Sequence, residues 1–215
     1  MKYYPAYLDL RERPCLVIGG GAVAERKSLA LLEAGAVVTI ISPMLTSKLH
    51  ELSDAGKITY IQKQYEEQDL SNAFLVIAAT DSAEVNTLVA SACRKKHVLV
   101  NVAVPPEVSS FIVPSVVERG DLLIAISTSG ASPALSRKIR QDIEQRYGAE
   151  YEVLLEKLSA IRKRVLEEIP DESKRRQVFQ AIVDSDIIDL IKQGKTHAAE
   201  LRMAEIAGFK HRVSK

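Results

Sequence analysis

Cys15-Leu-Val-Ile-Gly-Gly-Gly-Ala-Val-Ala-Glu-Arg-Lys27 opens with the pattern of a strand and closes with that of a helix. Cys15 to Ile18 is a short unbroken apolar run, which suits a strand buried on both faces of a parallel sheet. Gly19, Gly20 and Gly21 follow at once. Ala22 to Leu32 then carries apolar residues at helical spacing and ends before a helix stop at Gly35. This context gives the pattern Gly19-x-Gly21-x-x-Ala24 its chemical meaning. Gly19 permits a tight turn, Gly21 lets a pyrophosphate approach the backbone, and Ala24 is small enough for helix and strand to lie close. The helix start then presents free N–H groups and a positive dipole end to phosphates. The plainer alternative is a tight βα turn that binds nothing.

One expected piece is missing. Such a turn is usually followed, about 20 residues on, by a ribose-binding Asp or Glu at the end of the second strand. Here the strand Ala36-Val-Val-Thr-Ile-Ile41 ends in Ser42-Pro43-Met44, with neither a carboxylate nor an Arg for a 2′-phosphate. These residues leave NAD and NADP both open.

Alternation of strand and helix continues downstream. Thr46 to Gly56 reads as a helix, Ile58 to Gln62 as a third strand, and Asp69 to Ala73 as a turn of helix at most. Phe74 to Ala79 reads as a fourth strand, Ala83 to Lys95 as a helix, and Val98 to Ala103 as a fifth strand. Pro5 to Leu10 reads as a short edge segment. The pattern predicts an α/β fold with a doubly wound parallel sheet, whose ligands lie beyond the carboxyl ends of its strands. Thr80 and Asn101 close two apolar runs, where they serve either to hydrogen-bond a ligand or to form ordinary turns and caps.

The pattern changes after residue 104. Val104-Pro105-Pro106-Glu107 suits neither strand nor helix interior. Phe111 to Val117 and Leu122 to Ile126, separated by Glu118-Arg-Gly-Asp121, predict an antiparallel hairpin. Ser132 and Pro133 then form a helix start, with the helix running to about Tyr147 and carrying Leu135, Ile139 and Ile143 on one face. From Glu150 to about residue 207 three to five short helices are expected, followed by a basic, frayed tail from Lys210 to Lys215.

Composition bounds the function. The 215 residues are 47% hydrophobic and 27% charged, ordinary for a globular chain of one large or two small domains. A net charge of +1 gives no field for nucleic acid or an anionic membrane, so neither is an expected partner. Residues 1–14 hold Asp9, Arg11, Glu12 and Arg13, so no signal peptide is expected; no apolar run nears a membrane span. Cys15 and Cys93 are too few for a disulfide framework, and buried thiols in a cytoplasmic protein are the expectation. His50, His97, His197 and His211 lack metal-ligand spacing, so no metal site is expected. The Ser127 to Ser132 cluster has no nucleophile-elbow pattern, and no catalytic residue is assigned. Arg119, Arg137, Lys138 and Arg140 bracket it and suit either a solvated face or substrate carboxylates.

The glycine turn resembles the cofactor turn of precorrin-2 dehydrogenases, which include the dehydrogenase–ferrochelatase half of siroheme synthase. The resemblance continues through Ile77-Ala-Ala-Thr-Asp81, Asn101-Val102, Ser110-Phe-Ile-Val-Pro-Ser115 and Ile126-Ser-Thr-Ser-Gly-Ala-Ser-Pro133. It covers residues 1 to 150 closely and the helical tail in character. It implies an N-terminal NAD-binding Rossmann domain (1–110), a central dimerisation region with hairpin and helix (111–149) and a C-terminal helical domain (150–215). It implies a homodimer that oxidises precorrin-2 to sirohydrochlorin with NAD, for siroheme or cobalamin. Ala22 and Val23 then contact the pyrophosphate, and Pro43 and Met44 lie near the adenosine. Together with the strand ends, the expected cofactor set is Gly19, Gly20, Gly21, Ala22, Val23, Ser42, Pro43, Met44, Thr80, Asp81, Asn101, Val102 and Ala103. Ser127, Thr128, Ser129 and Arg137 are the expected substrate residues. Thr128 aligns with a position phosphorylated in some siroheme synthases. An Asp that siroheme synthase ties to chelation is here Val104, which puts ferrochelatase activity in doubt. A stand-alone enzyme without the methyltransferase half is expected. The alternative is a dinucleotide-sensing regulatory module without catalysis.

Overall fold

The computed structural model describes residues 2–209. The chain divides into two compact units, Met1–Val113 and Pro114–Lys215.

The first unit is built on five parallel strands, β1 (Pro14–Ile18), β2 (Val37–Ile41), β3 (Thr59–Ile61), β4 (Leu75–Ala78) and β5 (Leu99–Val102), in the order β3-β2-β1-β4-β5. β1 is central, with Val17 opposite Ile40 on one side and Ile77 on the other. The side-chain alternation of a strand sends Cys15 and Val17 to one face, Leu16 and Ile18 to the other, and both faces are buried. On the first face Val17 packs with Ala24 and Leu31 of α1 (Ala22–Glu33) and Leu49 of α2 (Ser47–Asp54). On the second, Ile18 packs with Val89 and Cys93 of α3 (Ala83–Lys95) and with Leu70 in a 3-10 turn over Glu67–Leu70. An apolar run buried on both sides explains the absence of polar alternation in β1 and β4; each such Val or Ile contributes about 1.5–3 kcal/mol. This is the doubly wound α/β fold expected from the sequence.

Edge protection follows from side chains rather than from another strand. The hydroxyls of Ser110 and Ser109 accept the N–H groups of Val100 and Val102 at 2.8 and 2.9 Å, and Ser110 N–H donates to the Val100 carbonyl at 2.8 Å. β5 is thereby covered along its outer side. Pro5–Leu10, expected as an edge segment, forms no strand; the chain instead folds back at Arg11, whose N–H donates to the Asp9 carboxylate at 3.1 Å.

The second unit begins with the hairpin β6 (Ser115–Arg119) and β7 (Leu122–Ile126), turned at Gly120-Asp121 with Gly120 at φ +57°. That positive φ is why glycine sits in a two-residue turn. Four of the expected strand residues, Phe111–Pro114, lie outside β6, which starts only after Pro114. α4 (Pro133–Arg146) starts as expected, with Ser132 Oγ accepting the Leu135 N–H at 3.2 Å. Four helices follow: α5 (Glu150–Glu168), α6 (Glu172–Val183), α7 (Ile187–Lys192) and α8 (Thr196–Ile206). α5, at 19 residues, is longer than the short helices expected. Ile161, Val165, Ile182, Ile187, Ile191, Ala199 and Met203 form their core. The basic tail 210–215 and His211 lie outside the described residues. Among the described residues no helix is long and apolar enough to cross a membrane.

Candidate dinucleotide site

The carboxyl ends of β1 to β4 open on a cleft of about 570 Å³. Its floor is the glycine turn. Gly19 has φ +117°, and a Cβ there would lie 2.3 Å from the Ala79 carbonyl oxygen, so β4 is packed directly against this turn. A Cβ on Gly20 would lie 1.9 Å from the Met44 carbonyl oxygen. Gly20 therefore lets the loop after β2 close over the turn, and the Thr46 N–H donates to the Gly20 carbonyl at 2.9 Å. Gly21 differs from both. Its φ of −84° is ordinary, and a Cβ there would meet nothing within 4 Å. The glycine that looks outward onto open space is the one the pattern assigns to pyrophosphate approach.

Gly21 is also the N-cap of α1, and among the described residues no side chain caps this helix. The orphan N–H groups of its first turn are thus free of side-chain acceptors at the cleft. Ala24, completely buried, allows α1 to lie against the sheet at this depth. An uncapped helix start, an open position above Gly21 and a crevice where strand order reverses together fit a dinucleotide diphosphate.

The loop after β2 forms one wall. The Ser42 hydroxyl is turned inward and donates to the Met44 carbonyl at 2.7 Å, while Pro43 and Met44 are exposed. Thr46 caps α2 and also donates to the Glu25 carboxylate, tying this wall to α1. The opposite wall is the loop after β4. Thr80, Asp81 and Ser82 line it, and its shape is set by Asn86, a completely buried residue of α3. Asn86 Oδ1 accepts the Thr80 N–H at 3.1 Å, and Asn86 Nδ2 donates to the carbonyls of Thr80 at 3.0 Å and Val104 at 2.9 Å. The Thr80 hydroxyl lies 2.9 Å from Asn86 Oδ1. One buried amide thus holds the loops after β4 and β5 together.

Of the expected cofactor residues, Gly19, Gly20, Gly21, Ser42, Pro43, Met44, Thr80 and Asp81 line the cleft. Ala22 and Val23 sit beside it in the first turn of α1, exposed. Asn101, Val102 and Ala103 are not brought to it. β5 is separated from β1 by β4, and the Asn101 amide is engaged by the Phe111 carbonyl at 3.1 Å. Lys63, Gln64 and Tyr65 line the cleft without having been expected. The available signal was topological: β3 is next to β2, so its carboxyl end flanks the same crevice. Burial pushes the Tyr65 phenol up to about 12, and its hydroxyl has no hydrogen-bond partner among the described residues.

The expected substrate residues belong to the second unit. Ser127, Thr128 and Ser129 join β7 to α4, and Arg137 is exposed on α4. The Thr128 hydroxyl accepts the Ser132 N–H at 3.1 Å and lies 3.1 Å from the Ser136 hydroxyl, so it shapes the helix entry. Among the described residues no group of three or more His, Cys, Asp or Glu is placed to hold a metal.

Fold and cleft are those of a dinucleotide-binding protein of the doubly wound α/β class. Three family profiles match in series. One, described as "Putative NAD(P)-binding", matches residues 6–115, just over half of the chain. A second, described as sirohaem biosynthesis protein central, matches 119–146, and a third, sirohaem synthase dimerisation region, matches 150–206. The chain belongs to this NAD(P)-binding family and continues into two regions matched by sirohaem-synthesis profiles. Similar relatives include siroheme synthases of Methylococcus capsulatus, 39% identical over 96% of this chain, and Methylobacillus flagellatus, 38% identical over 93%. The chain spans 44% of the length of each. A solved structure of SirC, precorrin-2 dehydrogenase, superposes with a TM-score of 0.79 and 28% identity, covering 94% of this chain and 100% of that one.

Proposed function

We propose that this chain is an NAD-dependent precorrin-2 dehydrogenase that oxidises precorrin-2 to sirohydrochlorin in the making of siroheme or cobalamin. The observation that carries this is the uncapped α1 N-terminus opening over Gly21 onto the cleft, in a chain that continues into sirohaem-specific regions. Its likeness to SirC over that protein's whole length supports the same reading.

The overall step moves one hydride from the tetrapyrrole to NAD⁺ and releases one proton, giving NADH and a more conjugated ring. When bound, the nicotinamide supplies the hydride acceptor. The protein's work is alignment and exclusion of water. The first turn of α1 holds the diphosphate; Gly20 and the Ser42–Thr46 loop fix the adenosine side; Asn86 fixes the Thr80 loop. No general base is assigned; Asp81 is the carboxylate among the lining residues.

We further propose a homodimer. The hairpin buries Val117 but exposes Val116 and Leu123 on its outer face, and the profile that matches α5 to α8 carries the dimerisation description. Sedimentation showing a monomer at micromolar concentration would refute this. The division into 1–110, 111–149 and 150–215 is proposed as the functional one. Cys15 and Cys93, buried and unpaired, support a reducing, cytoplasmic setting.

Adding precorrin-2 and NAD to the protein and following NADH absorbance tests the activity. A sensor module would bind NAD but form no NADH, and it would leave the sirohaem-specific regions without purpose.

A further inference from the structure

The cleft has no carboxylate at the end of β2 to select a ribose 2′-hydroxyl, so discrimination between NAD and NADP must come from elsewhere. Among the described residues that line it, the only cation is Lys63, just past the end of β3. This segment is bound to the β2 wall: Gln62 Nε2 donates to the Pro43 carbonyl at 3.2 Å, and the Ser42 N–H reaches the Ile61 carbonyl at 3.4 Å. Lys63 therefore belongs to the side of the cleft where a doubly wound fold receives the adenosine ribose. A free ammonium there would favour a 2′-phosphate.

Lys63 is not free. Its Nζ lies 2.7 Å from Asp69 Oδ1 and 3.0 Å from Glu66 Oε2. Asp69 is itself anchored, since its Oδ2 accepts the Glu66 N–H at 2.8 Å and its side chain is only 11% exposed. Glu66 is held by Gln68, which donates to it at 2.8 Å. Two carboxylates against one ammonium leave the cluster with a net charge of −1. The hydrogen bond from Lys63 keeps the Glu66 carboxyl below its usual range.

We propose that Asp69 and Glu66, by holding Lys63, make this cleft select NAD over NADP. The inference rests on the dinucleotide reading of the cleft and adds the device that reads the ribose. Both the engaged cation and the residual negative charge oppose a 2′-phosphate, while a 2′-hydroxyl is indifferent to them.

The test is calorimetric titration of NAD and of NADP into the whole chain, unaltered and as Glu66→Gln, Asp69→Asn and the double variant, each also combined with Lys63→Met. Gln at 66 and Asn at 69 keep an acceptor for the backbone N–H groups of the turn, and Glu66 is exposed enough that Glu66→Gln leaves the fold intact. The unaltered protein is expected to prefer NAD. The double variant is expected to tighten NADP on the order of tenfold, the worth of one charge-assisted contact, with NAD unchanged. Lys63→Met should erase that gain. NAD binding with NADP affinity insensitive to all these changes, or a gain that survives Lys63→Met, would overturn the proposal. A protein that binds neither dinucleotide would instead overturn the reading of the cleft and this inference with it.

Discussion

Gly21→Asp separates binding from folding more cleanly than any other change in the glycine turn. Gly21 is an N-cap in extended backbone, φ −84° and ψ −175°, with no atom within 4 Å of where its Cβ would stand. Aspartate is favoured at such a position, where its carboxylate accepts first-turn N–H groups and faces the positive end of the helix. Folding stability should therefore hold or rise by a few tenths of a kcal/mol. Binding should collapse for the same reason, because the new carboxylate takes the N–H groups that a diphosphate needs. Two unit charges about 5 Å apart at an effective dielectric of about 20 repel by about 3 kcal/mol. That is roughly 100-fold in Kd before any steric exclusion. Gly20→Ala is the contrasting control. Its Cβ would collide with the Met44 carbonyl at 1.9 Å, so it should lower the melting temperature as well as affinity. Fluorescence titration with NADH, paired with thermal melting, reads both quantities. A Gly21→Asp protein that melts normally and binds as tightly as the parent would refute the assignment of the diphosphate to α1.

Asn86→Ala should cost about 2–4 kcal/mol in urea unfolding, since it strands the Thr80 N–H and the Val104 carbonyl, and should weaken NAD binding through the displaced Thr80 loop. Burial pushes the thiols of Cys15 and Cys93 up to about 11 from an ordinary 9.0, so neither should react with a thiol reagent at pH 8 until denaturant is added. Because the unfolded chain loses these protons first, stability should be intact below pH 9 and fall between pH 9 and 11; a flat urea midpoint across that window would contradict the burial argument. Metal insertion into sirohydrochlorin should be weak or absent. Val104 has no lone pair or titratable proton on its side chain, which is 60% exposed, and Val104→Asp should raise insertion of Fe²⁺ or Co²⁺ without removing NAD binding. Robust insertion by the unaltered protein, followed by the product spectrum, would show that another group does this.

What was legible in the sequence divides along the kind of interaction. Runs such as Cys15–Ile18 and Leu75–Ala78 declare buried parallel strands because both their faces need apolar contact, and the glycines declare a turn because no other residue has their steric freedom. Those local signals sufficed for β1 to β5 and for the glycine turn at the floor of the cleft. The pattern separated Gly19, for the tight turn, from Gly21, for pyrophosphate approach, but it left Gly20 without a duty of its own. Gly20 is required by the Met44 carbonyl, 24 residues away, whereas among the described residues nothing lies within 4 Å of a Cβ at Gly21. Asn101 ended an apolar run just as Thr80 did, yet strand order sends Thr80 to the crevice and gives Asn101 to the Phe111 carbonyl. Asn86 and Lys63 escaped for the same reason. An Asn on an apolar helix face and a Lys among acids look like surface features until long-range pairing brings the loops around them together. Gly20 and Asn86 are thus specified in part by partners distant in sequence, Met44 and Val104, while the residue expected to meet the ligand is marked by the lack of a partner among the described residues. Gly21 is where that absence is most complete, because a helix start left uncapped over open space leaves its N–H groups available to an anion from outside the chain.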